Sequence, residues 1–147
     1  KVAMRENIHS CKKEDFEAVY SLLKQLWPKK NLLKDVVQNL FLKSINAPDK
    51  VHICYKYKGK IVGYCSMSIT QNFSNQGEKA CIDDLIVDEN YRKKGIGLKL
   101  ITEIILIARF RGCKHIELNA SFEKKKAHAF YEELGFQNSA YLFSKAL

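Results

Sequence analysis

The sequence has no apolar run that could cross a bilayer. Its longest, Ile104 to Ala108, is five residues, against the roughly 18 that a span requires. It has no C-x-x-C, and its five cysteines (Cys11, Cys54, Cys65, Cys81, Cys113) are odd in number and scattered. That disfavours a disulfide framework or a zinc site and points to a reducing, cytoplasmic compartment, with the cysteines as small buried hydrophobes. The charged opening "KVAMREN" does not read as a signal peptide; a leader ahead of Lys1 is left open. Repeats, low-complexity linkers and internal boundaries are also lacking, so residues 1–147 read as one domain. Acidic residues are scarce: 16 against 25 cations, a net charge of +9. An anionic partner is implied, whether nucleic acid, membrane or a phosphorylated small molecule, although a lysine-rich proteome gives the same balance.

What is present is an ordinary globular mixture, 46% hydrophobic and 28% charged. Val2 to Ile8 alternates as a first strand. Ser10 then offers a helix cap ahead of Phe16, Val19, Tyr20, Leu23 and Leu26, and Pro28 ends that helix. A second helix, about Asn31 to Ile45, carries Leu32, Leu33, Val36, Val37, Leu40 and Phe41 on one side. "VHICYKYKGKIVGYCSMSIT" reads as a hairpin turning at Lys58-Gly59, and "QNFSNQGE" as a loop. The strand "KACIDDLIVD" leads to a long helix from about Gly95 to Arg111, with Gly112 as its stop. "HIELNAS" is a strand, Lys124 to Leu134 a helix closed by Gly135, and "SAYLFSKA" a last strand. The order β-α-α-β-β-β-α-β-α-β predicts a mixed α/β (α+β) sheet with helices on its faces.

The informative stretch is "YRKKGIGLKL", Tyr91 to Leu100, where a strand hands over to a helix. Helix starts expose unpaired N–H groups and the positive end of the macrodipole, and glycine lets backbone crowd against a phosphate. Arg92, Lys93 and Lys94 add positive charge. A P-loop is excluded, because no Gly-Lys-Ser/Thr follows. A dinucleotide fingerprint is excluded too, because Leu100 stands where its third glycine belongs. By itself the stretch also fits a solvated basic turn. Nucleic acid is disfavoured, since exposed aromatics are not interleaved with the cations.

R-x-x-G-x-G after an "LIV" strand, followed by "AHAFYEELGF", resembles the GNAT superfamily of N-acetyltransferases. The resemblance runs from the first strand to the C-terminus and is strongest over Cys81 to Phe136. It implies a mostly antiparallel sheet with splayed central parallel strands and about four flanking helices. It further implies that Arg92, Lys93, Lys94, Gly95, Ile96, Gly97 and Leu98 hold the pyrophosphate of acetyl-CoA. The pantetheine arm would pair with backbone near Leu85, Ile86 and Val87, with Asn119 and Phe130 beside it and no metal involved.

By the same resemblance the reaction is acetyl transfer from the thioester to an amine, by direct attack in a ternary complex. An alkylammonium, with a pKa of about 10.4, must first lose a proton. Asp83 and Asp84, adjacent and so expected on opposite faces of a strand, stand where relatives carry an acidic pair. Asp83 has the edge as base, and Asp84 is the alternative or an acceptor-binding carboxylate. A backbone N–H near Val87 would serve the oxyanion, and Tyr131 would protonate the departing thiolate. The chain departs from the pattern at Lys124, where many relatives have asparagine. Lys124, Lys125 and Lys126 could lean toward the coenzyme's 3′-phosphate. His128 is expected to pack or cap, and His9, His52 and His115 lack partners at ligand spacing. Trp27 is core or pocket wall. The amine acceptor, small molecule or peptide, stays open, as does a homodimer; no membrane partner is expected. A non-catalytic acetyl-CoA sensor and a basic nucleic-acid binder are the alternatives.

Overall fold

The computed structural model describes residues 4–147. The described residues form one sheet in chain order: β1 (Ile8–Ser10), β2 (Lys50–Tyr57), β3 (Lys60–Asn72), β4 (Gly77–Val87) and β5 (His115–Leu118). Pairing is antiparallel from β1 to β4 and parallel between β4 and β5. Helices α1 (Phe16–Leu26) and α2 (Lys34–Ile45) cover one face; α3 (Ile96–Phe110) and α4 (Lys125–Glu133) cover the other. This is the mixed, mostly antiparallel architecture expected.

The two-residue hairpin turns as read, with both central residues at positive φ (Lys58 49°, Gly59 80°), the twist that suits a β-hairpin. Val2 and Ala3 of the expected first strand lie outside the described residues. The rest of it turns instead: Ile8 N–H donates to the Arg5 carbonyl at 3.1 Å and Asn7 sits at φ 73°, so β1 begins only at Ile8. Ser10 is therefore the end of a strand and caps nothing. Asp15 stands at the start of α1 instead, and its carboxylate accepts the Lys12 N–H at 2.8 Å, closing the short turn Lys13–Asp15 ahead of the helix. The second helix starts three residues later than read, at Lys34, because Leu33 is extended and the Leu32 carbonyl accepts from Tyr20 Oη. Its apolar side is wider than its neighbours can cover, and Leu33, Val36 and Leu40 stay exposed.

The largest difference is at the C-terminus. "SAYLFSKA" forms no strand among the described residues, and residues 137–147 are exposed throughout.

Two apolar layers sandwich the sheet. Phe16, Val19, Leu22 and Phe41 pack with Cys54, Tyr64 and Ile86 on one side. Ile96, Leu100, Ile101 and Ile104 of α3 pack with Cys65, Met67 and Ile82 on the other. Gly63 sets how closely α3 approaches, since a Cβ there would lie 2.9 Å from Leu100 Cδ1, 3.2 Å from Ile96 Cγ2 and 3.3 Å from Tyr55 Cβ. Replacing it overpacks a buried contact. Gly63→Val is expected to cost about 1–3 kcal/mol, read as a Tm lowered by several degrees in a thermal melt. An unchanged Tm would show that α3 shifts without strain.

Candidate functional site: a strand gap beside a helix start

The site begins where β4 and β5 part. Their register ends at Ile82↔Leu118, yet β4 continues to Val87, so Asp83 to Val87 have no β5 neighbour on that side. Backbone groups along an unpartnered strand offer hydrogen bonds to an extended ligand. β5 itself ends at Leu118, so β4 runs on past its parallel neighbour, and β5 lies at the edge of the described sheet instead of at its centre.

Beyond Val87 the chain makes a short turn, Glu89–Tyr91, and enters α3. Asp88 caps this turn by accepting Asn90 N–H at 2.9 Å. Gln25 of α1 braces it, accepting Glu89 N–H at 3.0 Å and donating to Asp88 Oδ2 at 3.5 Å. Lys93 (φ 62°) and Gly95 (φ 76°) are left-handed, and Gly95 is the residue at the mouth of the helix. No side chain caps the first turn of α3, so its N–H groups are available to an anion. Arg92, Lys93, Lys94 and Leu98 are exposed around it, with Arg92 Nε donating to the Val87 carbonyl at 3.1 Å. Ile96 turns its side chain into the core and leaves only backbone to the site. Gly97 lies where a Cβ would meet Val87 Cγ2 at 3.7 Å and Phe130 Cζ at 4.0 Å, which joins the loop, the end of β4 and α4. Leu85, Val87, Phe130 and Tyr131 are half-buried against the α3-side layer, while Asn119 is exposed just past β5.

The two aspartates do not point to opposite faces. A register shift between Ser66 and Met67 pairs those residues with Asp84 and Ile82, leaving Asp83 as the extra residue of a β-bulge. Both carboxylates consequently reach the α1/α2 side. Asp84 Oδ2 accepts from Ser66 Oγ at 2.5 Å, and Asp83 Oδ2 accepts from Ser68 Oγ. The strict two-residue alternation behind the sequence expectation fails wherever a residue is inserted.

These contacts belong to two polar rows laid across three strands. One runs from His52 through Ser66 to Asp84; the other runs from Lys50 through Ser68 to Asp83, with Lys50 Nζ donating to Ser68 Oγ at 3.0 Å. His52 is tied at both nitrogens, to Tyr64 Oη at 2.7 Å and Ser44 Oγ at 2.6 Å, and burial lowers its pKa. Burial pushes the Asp84 carboxyl above the ordinary carboxylate range. The Ser66 hydroxyl opposes that shift, and the neighbouring Asp83 charge adds to it. Lys50, Ser66 and Ser68 were not singled out from the sequence, and His52 was read there only as a histidine without partners at ligand spacing. Their only local signal is the polar alternation in "CSMSIT", which does not reveal what lies across the strand.

Tyr131 sits on the other side of the sheet, its ring edge-on to Phe130 (5.4 Å) and Phe136 (5.9 Å). Burial raises its phenol above the usual value. The carboxylates and the phenol thus lie on opposite faces of the sheet. Lys124, Lys125 and Lys126 are exposed, and His128 Nε2 donates to the Ser121 carbonyl at 2.7 Å, bracing the approach to α4. Trp27 is half-buried against the α1-side layer.

Elsewhere, a hollow of about 530 Å³ opens near His9, Lys12, Asp15, Lys56 and Lys58. His9 does have neighbours at ligand spacing: its donor atom and those of Asp15 and Cys54 lie within 4.8 Å of one another. His9 Nε2 is 3.2 Å from Asp15 Oδ2, the same oxygen that accepts the Lys12 N–H. Three lysines line the hollow and oppose a cation, so the group acts as a cap that ties β1 to α1. The cysteines are less uniformly buried than expected, with Cys54 and Cys65 buried and Cys11, Cys81 and Cys113 only partly so.

A sheet that parts beside a glycine-opened helix start is the framework of a coenzyme-dependent acyl-transferase fold. A profile of the acetyltransferase (GNAT) family matches residues 16–136, and the chain belongs to that family. It is 38% identical over 85 residues to a glucosamine 6-phosphate N-acetyltransferase of Trypanosoma brucei brucei, covering 57% of this chain and 56% of that one. The chain therefore spans little more than half of that relative's length. An aminoalkylphosphonate N-acetyltransferase of Salmonella typhimurium is 27% identical over 134 residues, 91% of this chain and 86% of the relative. In fold the chain is similar to an aminoglycoside N-acetyltransferase solved with CoA, at a TM-score of 0.85 and 19% identity, covering 99% of this chain and 97% of that one. No described helix is long and apolar enough to cross a membrane.

Proposed function

We propose that this chain transfers an acetyl group from acetyl-CoA to a primary amine of a small molecule or peptide, by direct attack in a ternary complex. The observation that carries this reading is the joint placement of the parted strands, the open α3 start, the carboxylate pair and Tyr131. The N–H groups of Gly95 to Leu98 and the cations Arg92 to Lys94 bind the diphosphate. The unpartnered edge of β4 from Leu85 to Val87 takes the pantetheine arm, with Phe130 and Asn119 alongside. The thioester then lies in the gap, between the carboxylates on one face and the phenol on the other.

We assign the base to Asp84 rather than Asp83. A half-buried carboxyl whose pKa is raised accepts a proton more readily than an exposed one, and Ser66 fixes its orientation. Asp83, braced by Ser68, attracts the cationic amine. The neutral amine attacks the thioester carbon, an N–H near Val87 steadies the oxyanion, and Tyr131 returns a proton to the thiolate as the C–S bond breaks. Lys50 beside Asp83 suits an acceptor that carries an anionic group as well as its amine, as the names of both sequence relatives describe.

Acetyl-CoA at about 100 times its Kd should add roughly 2.7 kcal/mol of stability and raise Tm. A panel of amines, with glucosamine 6-phosphate and an aminoalkylphosphonate beside uncharged amines and polyamines, should include one that releases CoA thiol. Stabilisation without thiol release from any amine would favour a sensor module. No stabilisation by any form of the coenzyme would sink the reading.

A further inference from the structure

Two titratable side chains under the helices have no part in the acetyl transfer, the Tyr64 phenol and the His52 imidazole. Tyr64 is 3% exposed and its neighbour Ser66 2%. His52 is paired with Ser66 in the β2–β3 register, and Tyr64 stands two residues before Ser66 on β3, so the three share the α1/α2 face. Tyr64 leans over that pair. Its ring stacks on His52 with centroids 6.1 Å apart, its Oη lies 2.7 Å from His52 Nδ1, and the Ser66 hydroxyl is within its reach. At the outer end the half-buried Ser44 of α2 meets His52 Nε2 at 2.6 Å. The chain therefore runs from Asp84 through Ser66, Tyr64 and His52 to Ser44.

Hydrogens in such a chain point consistently one way or the other, and the charge at its inner end selects which. Each hydroxyl has a single hydrogen, and a neutral imidazole carries one on one of its nitrogens. An ionised Asp84 has none to give, so Ser66 donates to it at 2.5 Å and is left to accept from Tyr64. Tyr64 then accepts from His52 Nδ1–H, and His52 Nε2 accepts from Ser44. Burial keeps the imidazole neutral, its pKa lowered, and keeps the phenol protonated. Bonds aligned in this way polarise one another.

We propose that Tyr64, His52 and Ser44 are positioning residues for the base: acting through Ser66, they align their hydrogens toward Asp84 and hold its carboxylate charged and fixed in place. The inference rests on the acetyl-transfer reading. Burial and the adjacent Asp83 charge both favour a protonated Asp84, and the aligned chain opposes them. The other titratable groups nearby are Lys50 and Cys54 on β2, Cys65 on β3 and Cys11 just after β1. α1 meets this face with the apolar Val19, Leu22 and Leu23, and α2 supplies the uncharged Ser44. In this way α2 is tied to the proton acceptor through hydrogen bonds alone.

The test is NMR on the full isotope-labelled chain, which needs no turnover. With Asp84 ionised, His52 should be the Nδ1–H tautomer. Tyr64→Phe and, at the far end, Ser44→Ala should each move the midpoint of the Asp84 carboxyl titration to higher pH by more than the scatter of repeat titrations. Ser44→Thr should restore the wild-type midpoint. The acidic limb of kcat/KM should follow each shift, with KM for acetyl-CoA unchanged. An Nε2–H tautomer in the wild type, or an unmoved Asp84 midpoint in Tyr64→Phe, would overturn the proposal. Should Tyr64→Phe fail to fold, Ser44→Ala at its half-buried position decides by the same midpoint. A shifted midpoint in a chain that acetylates no amine would support the alignment and count against the acetyl-transfer reading alone.

Discussion

Tyr131→Phe should lower kcat by at least about 100-fold while leaving acetyl-CoA binding and Tm within error of the wild type. The magnitude follows from removal of one positioned general acid, typically worth about 10²–10⁴ in rate. Binding should be spared because the ring, not the hydroxyl, packs edge-on against Phe130 and Phe136, and phenylalanine retains both contacts. The buried phenol is raised above its ordinary value of about 10. It therefore stays protonated, and competent as an acid, through neutral pH and beyond. Steady-state kinetics together with a coenzyme-induced melting shift check both halves. A variant with full kcat would remove Tyr131 from the chemistry and return it to the core. A variant that also lost the melting shift would place its hydroxyl in binding instead.

Asp84→Asn should have an effect of the same order, with a pH signature that separates Asp84 from its neighbour. A base must be ionised to act. Because burial raises the Asp84 carboxyl, the acidic limb of kcat/KM should lie above the ordinary carboxylate range, activity rising as pH climbs through it. Asparagine should abolish that limb and cost about 10²–10⁴ in kcat. Ser66→Ala offers the subtler control. The serine hydroxyl donates to the carboxylate and favours its charged form. Without it the limb should move to still higher pH, with the plateau rate changed only a few-fold. If Asp83→Asn takes the large loss instead, and Ser66→Ala leaves the limb in place, the roles of the two carboxylates are exchanged.

Which parts of this site were legible beforehand follows from how local their causes are. Gly95 was readable because a helix opening at positive φ selects glycine whatever packs around it. The Lys58-Gly59 hairpin turn, the extent of α3 and the stop at Gly112 were readable for similar reasons: each is set by the φ preferences and periodicity of a few neighbouring residues. Tyr131 was singled out by its motif; in the fold it packs edge-on against Phe130 and Phe136 on the α3 side of the sheet.

The aspartates show the limit. Seen in "CIDDLIV" alone, alternation sends them apart. Only pairing against β3, where Ser66 and Met67 face Asp84 and Ile82, inserts Asp83 as an extra residue and brings both carboxylates to one face. The same non-local register assembles Lys50, His52, Ser66 and Ser68 beneath them, from segments with no mutual signal in the chain. The tail is the converse case. Its strand pattern is encoded, but a strand exists only if another strand is there to receive its hydrogen bonds.

For this protein, then, the amino-acid sequence alone decided the helices, the central strands, the glycine turns and the basic mouth of α3, since these depend on sterics and periodicity within a few residues. Tertiary structure decided the facing of the carboxylates, the polar floor that steers them and the open edge of β5. Those depend on inter-strand register and on which partners lie within reach.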